Sequence, residues 1–201
     1  MVPDFNPNGG KGVRLSASYK AGAAACNTAL NILAKEGRVL LFRRSEMSPE
    51  VPASLHISTV IRAVKHGNSL GRTCLNLSFS NKRHSPLSVN AGTDFARSDA
   101  LYVPPQLPTL ASISGDIEGV RNRYSGEKIM GGTADVDQAY CRNVASVESA
   151  KLRCTLMECD EEPGGIIVIY IVCIFGDTRA GHVYNIISRA TDHGGSWLSW
   201  R

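Results

Sequence analysis

Two carboxylates separated by one residue stand in the stretch Gly131-Gly132-Thr133-Ala134-Asp135-Val136-Asp137-Gln138-Ala139-Tyr140. On a strand, Asp135 and Asp137 point to the same face. Like charges that close repel unless a cation or water lies between them. Mg²⁺ is one answer, a hard ion that takes carboxylate and phosphate oxygens. The same spacing also fits a solvated strand end with two surface acids. Thiols offer a second chemistry. Cys141 or Cys173 with His182 or His193 would supply the parts of a thiol hydrolase. Cys173 lies in an apolar strand, however, where a thiol is usually inert. The six cysteines form no C-x-x-C pair and the five histidines show no zinc spacing. They read as reduced packing residues in an intracellular protein.

The elements that would position these residues follow from periodicity and punctuation. Residues 1–17 open with Pro3, Pro7, Gly9, Gly10 and Gly12 and read as a flexible segment. Ser18 to Glu36 favours helix, with Gly37 at its C-terminal end. Val39 to Phe42 reads as a short strand, and Arg43 to Pro52 as a polar loop. Leu55–Lys65 and Arg72–Ser78 read as the two strands of a basic hairpin about the turn His66–Ser69, with Lys65 and Arg72 flanking the tip. Residues 80–109 form a long loop rich in Ser, Asn, Gly and Pro. Loops of that length inside a domain usually serve a function. Leu110 to Tyr124 is an amphipathic helix with Leu110, Ile113, Ile117 and Val120 on one stripe. Ile129-Met130 starts the strand that carries the acids. Leu152–Cys159 and Ile166–Ile174 are two further strands about the turn Asp160–Gly165. Phe175 to Gly181 is a loop, and His182 to Thr191 a helix.

Composition bounds the reading. The 201 residues are 43% hydrophobic and 20% charged, which suits one globular domain. Residues 1–83 carry twelve Lys/Arg against four Asp/Glu, and residues 84–201 carry ten against fourteen. That division suits a phosphate-holding front half and a metal-holding back half, or a solvated basic face. Met1-Val2-Pro3-Asp4 lacks the basic start and apolar core of a signal peptide. The longest apolar run, Ile166–Phe175, is ten residues, too short for a membrane helix and suited to a buried strand. An intracellular protein, cytoplasmic or nuclear and without a membrane partner, is therefore expected.

In this order the elements resemble the fingers and palm of reverse transcriptases, most of all those of long-terminal-repeat retroelements. Val64-Lys65 with Gly71-Arg72-Thr73-Cys74-Leu75-Asn76-Leu77 resembles the fingers hairpin, with Asn76 where the family often has Asp. Asp135-Val136-Asp137-Gln138-Ala139-Tyr140 is similar to the first palm motif. Phe175-Gly176-Asp177-Thr178-Arg179-Ala180-Gly181-His182-Val183-Tyr184 resembles the Phe-Gly loop, with Gly181 in place of Pro. Leu107-Pro108-Thr109-Leu110 looks like the opening of the helix before the palm.

The resemblance implies an incomplete α+β domain, mixed helices and antiparallel sheet without a thumb. Its fingers would span about 18–109 and its partial palm about 110–201. It implies that Lys65 and Arg72 hold the triphosphate of an incoming deoxynucleotide. Asp135 and the Val136 carbonyl would bind Mg²⁺, with Asp135 the catalytic carboxylate. Tyr140 would lie under the sugar and exclude a 2′-hydroxyl, and Phe175, Gly176 and Ala180 would line a template-side loop. RNA or DNA template-primer and deoxynucleotide triphosphate are the implied partners. The family's second catalytic motif is an adjacent pair of Asp residues, and the 201 residues contain no such pair. Two-metal phosphoryl transfer needs carboxylates from both motifs, so an inactive fragment is expected. A nucleic-acid-binding remnant without chemistry is the alternative.

Overall fold

A computed structural model describes residues 15–48, 55–65, 68–79, 88–93, 108–130 and 139–186. The architecture is α+β with antiparallel sheets. Helices α1 (Ala17–Lys20) and α2 (Ala23–Lys35) lead into strand β1 (Val39–Arg43) and then the hairpin β2 (Thr59–Lys65) and β3 (Asn68–Asn76). Helix α3 (Leu110–Arg123) follows, then α4 (Val147–Lys151) and the strands β4 (Cys154–Cys159) and β5 (Glu162–Tyr170). One sheet has the order β1-β5-β4, and β2 and β3 form a second.

The expected helix over 18–36 is two helices, broken at Ala21-Gly22. A Cβ on Gly22 would sit 2.5 Å from the Arg62 side chain, so the break is where β2 presses on the helical layer. The folded part also begins before residue 18. Leu15 packs against the core, and the Ser16 hydroxyl accepts the Tyr19 amide at 3.0 Å to cap α1. The same hydroxyl donates to the Val60 carbonyl, which ties α1 to β2. At the far end Gly37 adopts φ +69°, and Arg38 and Gly37 donate back to Leu33 and Ala34 at 2.9 and 3.0 Å. This paired closure is the Schellman arrangement that a glycine permits.

The core lies between α2 and one face of the three-stranded sheet. Cys26 and Leu30, one helical turn apart, face Val39, Val168, Tyr170 and Met157, and Val60 and Leu75 of the hairpin join them. Tyr19 is fully buried and pins this layer: its hydroxyl donates to Asn27 and accepts the Glu158 amide, each at 2.9 Å. The opposite face of the sheet, with Cys154 and Ile167, is covered by Leu55 and Ile57. Burial pushes the Cys154 thiol up to about 12, so it packs as a small apolar group.

Several features differ from the sequence reading. The β4–β5 turn is tight, because Cys159 pairs with Glu162. Gly164 and Gly165 therefore lie inside β5, and Gly165 has φ +75° with its would-be Cβ 2.9 Å from the Met157 carbonyl, beside the register shift. The hairpin turn is also short: Lys65 pairs with Asn68, and Arg72 sits down the ladder opposite Ala63 instead of flanking the tip. The apolar stripe of α3 is not buried in the described fold, with Leu110 86% and Ile113 43% exposed. Residues 128–130 form no strand. Among the described residues, no helix is long and apolar enough to cross a membrane.

His56 supplies a pH test of this scaffold. Its backbone amide donates to the Lys151 carbonyl at 2.8 Å, and burial lowers its pKa below the ordinary 6.5. The unfolded chain therefore takes up this proton first. Stability is full above pH 6.5 and falls as pH drops below it. Chemical-denaturant titrations of the wild type between pH 7 and pH 5 should show this loss, and His56→Gln should flatten it.

Candidate functional site

The end of β5 builds the site. Residues 171–174 leave the sheet and pair with the segment that follows Tyr140. Val172 bridges Val144, the Cys173 amide donates to the Asn143 carbonyl at 2.8 Å, and the Ala145 amide donates to the Ile171 carbonyl at 2.9 Å. Two stretches about thirty residues apart thus run side by side. Their next side chains, Tyr140 and Phe175, meet edge to face with ring centroids 5.0 Å apart. Helical residues 180–186 bring Tyr184 against Tyr140 as well, at 5.9 Å and perpendicular. Such pairs contribute about 1 kcal/mol each beyond the area they bury.

The hairpin closes the cluster. The Arg72 guanidinium lies over the Phe175 ring with Cζ 5.7 Å from the centroid, within cation–π range. Arg72 is exposed, and Phe175 is 43% exposed. The site is therefore a cation over a ring that is partly open to solvent, with Tyr140 against that ring and Tyr184 against Tyr140. A planar base or sugar can lie against such rings, and the guanidinium can take phosphate oxygens in fork geometry.

Gly176 explains how the loop comes so close to the hairpin. It has φ +97°, and a Cβ there would stand 2.4 Å from the Leu75 carbonyl of β3. Only glycine satisfies both the left-handed backbone and the contact. Asn90 stitches the same junction. Its amide nitrogen donates to the Gly176 carbonyl and the Ser78 hydroxyl at 2.8 Å each, and its backbone amide donates to the Leu77 carbonyl at 3.0 Å.

Beneath the loop lies a buried ion pair. Arg153 donates through Nε at 2.8 Å, and also through Nη2, to one oxygen of Asp177. The side chains are 10% and 8% exposed. The other Asp177 oxygen accepts the Arg179 amide at 2.9 Å, in the turn that leads into helical residues 180–186.

The structure brings Arg72, Tyr140, Phe175 and Gly176 of the expected site residues to one place. Ala180 is buried at the start of the following helical turns. Lys65 is described for its backbone only. Asp135 and Val136, the expected Mg²⁺ ligands, lie outside the described residues, as does Asp137. Among the described residues there is no group of three or more His, Cys, Asp or Glu that could hold a metal. The Asp177 side chain is buried and its oxygens accept from Arg153 and the Arg179 amide, so its charge is already paired. The described residues thus do not by themselves make an Mg²⁺ site. The thiol-hydrolase alternative loses Cys173, which is buried, and that burial pushes its thiol up against the pull of Arg153.

Sequence reasoning missed Asn90, Arg153 and the role of Asp177. A lone Arg at the mouth of an apolar strand and an Asp opening a helical turn were the available signals. No protein-family model matches the chain, and no curated protein matches it.

Gly176→Ala should cost about 2 kcal/mol or more, because a strained backbone and a carbonyl clash add. Gly181→Ala meets nothing within 4 Å and should be neutral or stabilise by up to about 1 kcal/mol. Thermal unfolding of the two variants beside the wild type checks the contrast.

Proposed function

We propose that this chain is a reverse-transcriptase-like domain, fingers and part of the palm, that binds template-primer and deoxynucleotide triphosphate. One observation carries the reading: Arg72, Tyr140 and Phe175, singled out in three separate stretches, gather in one solvent-open cluster. In this reading the Arg72 guanidinium takes the triphosphate, and Tyr140 backs the sugar. Phe175 lies against the base pair, with Gly176 holding it to the hairpin. Asp135 and the Val136 carbonyl are the residues that the resemblance assigns to Mg²⁺, which would supply charge neutralisation on the phosphates. The 201 residues hold no adjacent Asp pair, so by this reading the chain binds without polymerising.

The reading treats nucleic-acid binding without chemistry as the state of this chain. The basic residues 1–83 and the exposed Arg72 favour it, since phosphate contacts dominate such affinity.

Fluorescence anisotropy with a labelled RNA–DNA primer-template tests it. Affinity should fall steeply between about 50 and about 200 mM salt. With a fluorescent deoxynucleoside triphosphate, Arg72→Ala should weaken binding about tenfold, the scale of one charge-assisted hydrogen bond. Binding that is absent at low salt or indifferent to salt would contradict the reading, and template-primed incorporation would contradict its inactivity.

A further inference from the structure

We infer that Arg153 and Asp177 are positioning residues for the aromatic cluster, setting Phe175 and Tyr184 against Tyr140 through a single buried carboxylate. Asp177 follows Phe175 by two residues and precedes Tyr184 by seven. Its two oxygens are divided between those directions. One is gripped by the Arg153 fork from the mouth of β4, which fixes where the Phe175-Gly176 loop leaves the sheet. The other accepts the Arg179 amide, and the Asp177 carbonyl accepts the Ala180 amide at 3.1 Å. These two bonds start the helical turns that carry Tyr184. The Tyr140 backbone is placed separately, its carbonyl accepting the Asn143 amide at 3.1 Å beside the pairing of residues 143–145 with 171–173. Its ring meets Phe175 at 5.0 Å and Tyr184 at 5.9 Å, so the packing around that ring depends on both.

Burial makes the pair directional. Both side chains are at most 10% exposed, and the Arg153 Nη1 has no partner among the described residues. A guanidinium held there without its carboxylate is an uncompensated buried charge, which the chain relieves by moving the loop. Arg153 itself is held by its backbone, since its carbonyl accepts the Tyr170 amide at 3.0 Å from the central strand. The Asp177 side is held at Gly176 by Asn90 and the Leu75 carbonyl, so the adjustment is expected beyond Gly176, in the turn that leads to Tyr184, and in the ring of Phe175.

The affinity arm of the test rests on the nucleotide reading, and the spectroscopic arm does not. The full chain is labelled with 3-fluorotyrosine, and the Tyr140 and Tyr184 ¹⁹F lines are assigned with Tyr→Phe variants. In Asp177→Asn, which keeps size and the cap oxygen but loses the charge, both lines should move towards the position of the free amino acid. Affinity for a fluorescent deoxynucleoside triphosphate should fall about tenfold. Should that variant not fold, Arg153→Lys keeps the charge but has no two-nitrogen fork, and should shift both lines the same way by less. Unmoved Tyr140 and Tyr184 lines in the folded variant would overturn the inference, even with a lower melting temperature. Shifted lines in a protein whose wild type does not bind the nucleotide would support the positioning role and remove the nucleotide reading instead.

Discussion

The apolar run from Ile166 to Ile174 must leave water, and the way it does so sets the rest of the structure. Ile167 and Val168 point to opposite faces of the sheet and are both fully buried. Each contributes roughly 2 kcal/mol by leaving water. Two covered faces therefore have to be found. Helix α2 and the hairpin cover one, and the segment carrying Leu55 and Ile57 covers the other. A strand buried on both faces also needs partners at both edges, which β1 and β4 supply. Once β5 is central, its continuation has one route out, past the backbone of residues 143–145 and under the end of β3. The candidate site is what stands on that route.

The site and its support differ in energetic character. The ring contacts and the cation–π contact are each worth about 1 kcal/mol and lie partly in solvent. Such contacts adjust readily to a ligand. Below them are groups that do not adjust: a glycine pressed on a carbonyl, an asparagine with its amide group used on both sides, and an ion pair out of water. Rigid support under an open, exchangeable surface is the arrangement that holds a binding geometry without filling it.

Much of the fold could be read from local patterns. Gly37 ends α2, a helix opens at Leu110, and Val39–Phe42 is a strand, because helix ends and short apolar runs are decided by neighbours in sequence. The same logic misjudged Gly22, Gly164 and Gly165. A glycine reads as turn or helix residue locally, but here each lies against a group from elsewhere, Arg62, Arg44 and the Met157 carbonyl, and at Gly165 the backbone contact and φ of +75° require it. The stripe on α3 was legible as amphipathic, yet periodicity cannot say whether a partner surface exists. Arg72, Tyr140 and Phe175 were chosen one by one from resemblance, and nothing in their spacing says that they touch.

By itself, then, the sequence determined the residue types, the elements near their true bounds, the α+β class and the absence of an adjacent Asp pair. These depend on propensity, periodicity and composition, which act over a few residues. Only the tertiary structure decided that the Phe175-Gly176 loop meets the hairpin and that Tyr140 contacts two rings. It alone joined Arg153 to Asp177, twenty-four residues away along the chain. Those contacts arise from burying one central strand, and the register of that burial is a long-range choice that no local pattern encodes.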